Sequence, residues 1–537
     1  NPEHKVWTTT DLDVAGELAE QINDIKMQDV IYELSNLQDV ADKEAYRMSS
    51  AKVPTDRLQI EAPDGLEYLP YQRAFLEWWK QRTENGYSNL LEASEMGIGK
   101  TIEAIMVMQI IPNPDPRFLV VCPAGLKINW EREIRKWNTK GFSVQRISGK
   151  KQLPSGQLNL SNISIINYDI LMSHRQSIDE VEWDLVVLDE AHYLKNKSAN
   201  RSKAVLGMRG MKPIAGRKLF LTGTPLINRP IEIWPMAQSC DPNKLGRDWK
   251  HFTQRYCGGH NVHYGYKPIW DASGATNLEE LQTKLRSSFM MRRRTNDVLD
   301  QLPAIRRQAI VLPDNGYADL IKTQLNTWEH HEQIKVDLAN AKAKASNGDS
   351  MIQEIRDLEK LEKLVFGELS KLRKKVGICK TGHVVEHVSY VQESKGKVVV
   401  FAHHVEVIKK LMEAFQELKL NPVQVTGSNS DQQKANAVDF FQDDETCQVI
   451  VLNIEAGAVG ITLTGTKAAG YCTSVVFAEL DWRPSMMEQA ERRVARLGAD
   501  EEASYVLVDY VVLDGSLDAN MSETLINKES VINRTVN

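Results

Sequence analysis

The chain has six cysteines, Cys122, Cys240, Cys257, Cys379, Cys447 and Cys472, and nowhere the Cys-x-x-Cys spacing. Their scatter argues against a disulfide framework or a zinc ribbon. No run of about 18 apolar residues occurs, and the first residues, NPEHKVWTTTDLD, have neither the basic start nor the apolar core of a signal peptide. Neither secretion nor a membrane partner is therefore expected, and a reducing cytoplasm is the expected setting. The absence of an initial Met suggests a trimmed fragment. Excess basic charge is also missing: 66 Lys and Arg face 72 Asp and Glu, for a net charge of −6. A globally basic nucleic-acid binder is excluded, so any such binding must rest on local clusters such as Met291-Arg292-Arg293-Arg294 or Lys371 to Lys375. Long disordered tails and dense basic localisation signals are lacking too. That leans toward a bacterial or virus-infected cytoplasm without excluding a nucleus.

One glycine is missing from an otherwise recognisable place. Gly-x-x-x-x-Gly-Lys-Ser/Thr cradles phosphates because its turn aims backbone N–H groups at them, while Lys reaches the outer oxygens and Ser/Thr binds Mg²⁺. In LEASEMGIGKT the slots read Ser94, Gly99, Lys100 and Thr101, with Glu95, Met96, Gly97 and Ile98 between. Ser can replace the first Gly where the turn does not demand a positive φ. The following TIEAIMVMQI has helical apolar spacing, which supplies the anion-binding helix start.

Downstream, WDLVVLDEAH is an apolar run of strand length ending in two acids. This places Asp189 and Glu190 at the C-terminal edge of a buried parallel strand, where phosphates bind in open α/β sheets. Asp189 is then the residue for Mg²⁺ and Glu190 the one that orients and deprotonates the attacking water. The two motifs together predict a nucleoside triphosphatase with Mg²⁺ as a ligand.

With these motifs the chain resembles a SWI/SNF-type ATPase of helicase superfamily two, most similar to the annealing-helicase, fork-remodelling branch. The resemblance runs in order from about Leu69 to Gly515. LPYQRAFLEWW is similar to the family's Q-motif, which implies that Gln72 reads the adenine. LVVCPAGLKINWEREIRKW and ISIINYDIL resemble the DNA-contact motifs of the first lobe. Thr222-Gly223-Thr224-Pro225 resembles the coupling motif. RYCGGHNVHYGYKPIWDASGATNLEELQTKL and FMMRRRTNDVLDQLP look like the extension of that branch's first lobe, and KVVVFAHHVEVIKKL opens the second lobe in the same style. NIEAGAVGITLT resembles the loop that contacts the DNA backbone and the lobe interface, which implies roles for Gly457 and Gly460. QAERRVARLG, beginning at Gln489, resembles the arginine-finger helix. Helical spacing there makes Arg493 and Arg496 co-facial, and a fixed charged fork suits phosphate oxygens. The chain departs from the family at Arg492, where an acid is usual, and at Ala495, where His is usual.

The expected fold is α/β: two RecA-like lobes of parallel sheet flanked by helices, with helical insertions between them. The expected divisions are an N-terminal helical segment of unassigned role (1–62), the ATP-binding lobe with its extension (63–310), a protruding antiparallel helical pair (311–378) and the second lobe with its tail (379–537). The implied activity is a DNA-dependent ATPase that translocates on duplex or branched DNA, independently of sequence, and remodels or re-anneals it. The alternatives are a strand-separating helicase, and a motor subunit of a larger nucleoprotein-remodelling or defence complex, docked to a protein partner through the N-terminal segment. Cys379, His383 and His387 are read as packing residues rather than a metal face, His260 and His263 as loop residues, and Trp78 and Trp79 as the packing side of the Gln72 helix.

Overall fold

The computed structural model describes residues 25–55, 60–207, 211–223, 229–264, 267–298, 303–313, 316–346, 352–496, 499–500, 503 and 505–523, apart from 458–460. Apolar runs such as FLVVC, ISIIN, LVVLD and KVVVFA form strands with both faces covered, the pattern of parallel sheets wrapped by helices. The first sheet takes β1 (Asn89–Glu92), β2 (Phe118–Cys122), β3 (Val144–Arg146), β4 (Ile163–Asn167), β5 (Leu185–Asp189) and β6 (Arg217–Leu221). A hairpin follows, β7 (His260–Tyr264) with β8 (Lys267–Asp271), so His260 and His263 lie in a strand rather than a loop. The short β9 (Met290–Met291) closes the first sheet, whose order is β3-β4-β2-β5-β6-β1-β9.

The second sheet takes β10 (Ala304–Leu312), β11 (Lys397–Ala402), β12 (Val423–Val425), β13 (Val449–Asn453), the short β14 (Gly465–Thr466), β15 (Gly470–Phe477) and β16 (Tyr505–Leu513). Its order is β10-β16-β15-β11-β13-β12, with β14 antiparallel against β15. The boundary expected at residue 310 needs correcting. β10 pairs in parallel with β16 along its whole length, Ala304 with Tyr505 through Leu312 with Leu513, so the second lobe starts at Ala304. The helical pair, Ala318–Ser346 and Ile352–Cys379, is an excursion between the first two strands of the second lobe. The turn expected at Ser346 to Ser350 lies largely outside the described residues.

Helix Ile25–Met48 packs against helix Leu278–Ser288 of the first lobe's extension. Arg286 fixes this contact, donating to the Ser49 Oγ at 2.9 Å and the Tyr46 hydroxyl at 3.0 Å. Between the lobes, Arg132 makes a two-pronged pair with Asp439 at 2.7 Å on both arms, and the Lys127 ammonium lies 3.9 Å from Asp431. The expected basic clusters are only partly free surface, with Lys371 and Lys375 exposed. Arg293 is buried, Arg373 donates to the Leu480 carbonyl, and Lys374 pairs with Glu406.

Candidate nucleotide site

β1 ends at Glu92, and the chain turns through Ala93 to Gly99 into helix Lys100–Ile110. Gly97 and Gly99 take φ of +86° and +90°, values open to glycine at no steric cost. Ser94 stays out of that region, so its slot needs no glycine. The Lys100 ammonium donates to the carbonyls of Ser94 (2.8 Å) and Glu95 (2.9 Å), and Thr101 follows in the first helical turn. Burial lowers the Lys100 pKa, against the pull of Glu92, Glu190, Asp189 and Glu103.

Helix Pro70–Glu84 lies over this turn. The Tyr71 hydroxyl donates to the Ile98 carbonyl at 2.8 Å. Gln72 is buried, its Oε1 capping the helix by accepting from the Leu69 N–H. Its Nε2 lies beside Gly99, where a Cβ would meet it at 2.8 Å and displace it, although the φ of +90° is what calls for glycine there. The adenine role implied for Gln72 thus coexists with two structural duties. Trp78 and Trp79 are buried behind it, as packing requires.

Two strands along, β5 delivers Asp189 and Glu190 to the same edge. The Asp189 carboxylate accepts from the Trp130 indole N–H at 2.8 Å and from the Glu190 N–H at 2.9 Å. Burial and the neighbouring Glu190 raise its pKa to about 6. Glu190 sits at φ +49°, ψ +51°, a left-handed conformation costly for a non-glycine residue and typical of functional positions. Burial pushes its carboxyl up, but His192, Lys100 and Arg493 more than offset this and leave it below the usual range. His192 Nδ1 is 3.2 Å from Glu190 Oε2 and 3.3 Å from the Thr222 hydroxyl, joining the acid to the end of β6. Gly223 beside it has no room for a Cβ, which would meet Met96 of the phosphate loop at 2.9 Å. Thr224 and Pro225 lie outside the described residues.

The second lobe contributes the far wall. Helix Pro484–Glu491 carries the buried Gln489 but stops before the arginines, so Arg493 and Arg496 do not share a helix face as expected. The Arg493 carbonyl accepts from the Leu463 N–H at 2.9 Å, and Arg493 and Val494 make three-residue bonds back to Ala490 and Glu491, winding the chain into tight turns. Glu491 anchors their base, pairing with Arg307 of β10 at 2.6 Å and accepting from the Tyr510 hydroxyl of β16 at 2.5 Å. Arg496 donates to the Ile461 carbonyl and the Thr462 hydroxyl. Burial lowers the pKa of Arg493, with Arg496 adding to the effect and the first lobe's Glu190 and Asp189 opposing it. Burial lowers Arg496 as well, opposed by Glu133 and Glu190. The arginines of one lobe thus feel the acids of the other. Arg492, at the departure from the family pattern, lies 3.9 Å from Glu95 of the phosphate loop and donates to Glu488.

Gly457 is buried where a Cβ would meet Phe401 at 2.7 Å, so close packing is reason enough for a glycine there; Gly460 lies outside the described residues. His387 bonds Asp509 at 2.8 Å, and His383 lies toward Glu386. Sequence reasoning missed Glu103, Trp130, Arg307, Glu491 and Tyr510, and read Arg293 only as part of a surface basic cluster. Only Glu103 carried a local signal, as a single acid inside the apolar run TIEAIMVMQI.

The SNF2-related domain family matches residues 71–365, and the helicase conserved C-terminal domain matches residues 380–498. Domains of these kinds imply use of a nucleotide. The chain is 32% identical over 497 residues to the Homo sapiens DNA annealing helicase and endonuclease ZRANB3, covering 90% of this chain and 42% of that protein. It is 30% identical over 466 residues to the Xenopus tropicalis SWI/SNF-related matrix-associated actin-dependent regulator of chromatin subfamily A-like protein 1, covering 86% of this chain and 44% of that one. The chain spans less than half the length of these relatives. Among solved structures, the Sulfolobus solfataricus SWI2/SNF2 ATPase core in complex with dsDNA is 22% identical, with 89% of this chain and 94% of that chain covered and a TM-score of 0.41.

Proposed function

The chain belongs to the SNF2-related family, and from that premise we propose that it is a DNA-dependent ATPase that couples hydrolysis to translocation on duplex or branched DNA, remodelling or re-annealing DNA structures. The observation that carries this reading is the meeting of Lys100, Asp189 and Glu190 from one lobe with Arg493 and Arg496 from the other: Arg492 lies 3.9 Å from Glu95 across the same seam, and the acids act on the arginine charges. A cleft of that composition suits a triphosphate. Backbone N–H groups and Lys100 hold the phosphates, and the arginines stabilise charge that develops during transfer.

The donors fit Mg²⁺: the Thr101 hydroxyl and the Asp189 carboxylate would hold it as oxygen ligands, since this ion takes one or two carboxylates plus phosphates and water. When bound, Mg²⁺ neutralises charge on the transferring phosphoryl group. Glu190, ionised by its surroundings, orients the attacking water and accepts its proton. Trp130 and the Glu190 N–H fix the Asp189 carboxylate. Because Arg493 and Arg496 are supplied by the other lobe, hydrolysis and lobe closure are one event, and its repetition moves the lobes along the phosphate backbone. Such contacts are independent of sequence and weaken steeply with salt.

The test is ATP turnover at one fixed salt without DNA, with single strands, with duplex and with forks, using Lys100→Ala as the blank. Strong stimulation by duplex or fork, lost in the variant, is expected. Turnover indifferent to every DNA structure overturns the proposal.

A further inference from the structure

The slot where this loop type has its first glycine is occupied by a fully buried serine, and its surroundings give that serine a task. The Ser94 N–H donates to Glu92 Oε1 at 3.0 Å. Its hydroxyl oxygen accepts from the Arg293 backbone N–H at 3.0 Å and from Arg293 Nε at 3.1 Å. Arg293 comes from the extension, 199 residues downstream, and its side chain is wholly buried. Its other arms donate to the Tyr71 carbonyl and to Glu103 Oε1, both at 2.6 Å, with Glu92 3.5 Å away. One guanidinium therefore touches the strand before the loop, the loop, the helix after it and the helix that carries Gln72. Around it the loop is fastened further: Glu95 N–H to the Arg293 carbonyl, the Thr295 N–H to Glu95 Oε2, and the Thr295 hydroxyl to the Met96 carbonyl.

We propose that Ser94 and Arg293 form a brace that sets the shape of the phosphate loop, Arg293 being a positioning residue and Ser94 being present for its hydroxyl. The inference rests on the reading that this loop takes a triphosphate. Ser94 has no positive φ to accommodate, so glycine's freedom is not needed there. Glycine would instead leave two Arg293 donors without their acceptor in a place water does not reach, the costly side of buried hydrogen bonding. The link to the ligand runs through Lys100, whose ammonium rests on the Ser94 and Glu95 carbonyls. Loosening Ser94 unsettles the lysine that meets the phosphates. Glu190 is held by His192, and Arg496 by Ile461 and Thr462, so the chemical step is spared.

The test uses the full chain with Ser94→Gly, which restores the usual loop sequence, Ser94→Ala, Arg293→Lys and the Ser94→Ala/Arg293→Lys double variant. A fluorescent ATP analogue reports affinity, steady-state turnover separates KM from kcat, and thermal melts and duplex binding without nucleotide report the fold. Each single variant is expected to bind nucleotide about tenfold more weakly, ~1.4 kcal/mol, with kcat changed less than about twofold and DNA binding unchanged. The double variant should be no weaker than the worse single one, because the partners act as a unit. Ser94→Gly binding as well as wild type, or a lower melting temperature with no loss of affinity, overturns the brace. Wild-type chain that takes up no nucleotide, judged against Lys100→Ala, sinks the ATPase reading and the brace with it.

Discussion

The two walls of the cleft are built differently. On the first lobe the phosphate loop is fastened by its own glycines, by Tyr71 and Gln72 above it, and by Arg293 beneath it. On the second lobe the arginines stand on tight turns beyond a helix end, tied to a neighbouring segment through Leu463, Ile461 and Thr462 and anchored at Glu491. Under the proposed reading the contrast is a division of labour: the wall proposed to bind is braced within the first lobe, and the wall proposed to supply the arginines is braced within the second.

The largest effects should separate the walls. Lys100→Ala is expected to abolish nucleotide uptake, since the buried acids around it would lose their cation. Glu190→Gln should keep uptake and reduce turnover by about 10²–10⁴-fold. Arg493→Ala should reduce kcat by about 10³-fold or more while changing nucleotide affinity less than about threefold. A large affinity loss in Arg493→Ala would erase the distinction between the walls. Equilibrium titration beside single-turnover kinetics measures all three.

A middle-sized effect concerns the bridge between the lobes. Arg132 and Asp439 form an aligned but half-exposed pair. Such pairs contribute at most about 1 kcal/mol, and less at high salt. Reversing either charge should change DNA-free turnover a few-fold, and the swapped pair Arg132→Asp/Asp439→Arg should recover it. Recovery that persists in molar salt would argue against a charge contact.

An effect on stability alone, with the smallest expected consequence for turnover, lies within the first lobe. Lys218 is buried and its ammonium donates to the Ile214 and Gly216 carbonyls; burial lowers its pKa to about 8, with an opposing pull from Cys240. A lysine lowered by folding penalises the folded state while it is charged, and that penalty lifts as pH rises from about 8 toward the unfolded value of 10.5. Thermal melts should therefore show wild type gaining on Lys218→Met between pH 8 and 10. A constant gap would mean that the lysine is charged throughout.

Much of this was legible locally. The apolar runs before Ser94 and Asp189 announced parallel strands, and the two-lobed α/β fold and its family followed from motif order. What escaped was contact between distant segments. Periodicity cannot say that Arg293 bonds Ser94, or that AIRRQAIVL joins a sheet whose other strands begin at Lys397. Local preference even misled at QAERRVARLG, a run of good helix formers. There the Arg493 carbonyl is taken by Leu463, and tertiary bonding overrides propensity.

The placement of β10 also bears on where this chain can be altered. The long helical pair leaves the second sheet after its first strand and returns before its second. Residues inserted between Ser346 and Ile352, or a break there, would leave β10 still joined to β16 and the two pieces sharing one sheet. The far end of the helical pair is thus a place where chain can be added without dividing the sheet, whereas the bases of the two helices pack into the second-lobe core and are not free to be exchanged.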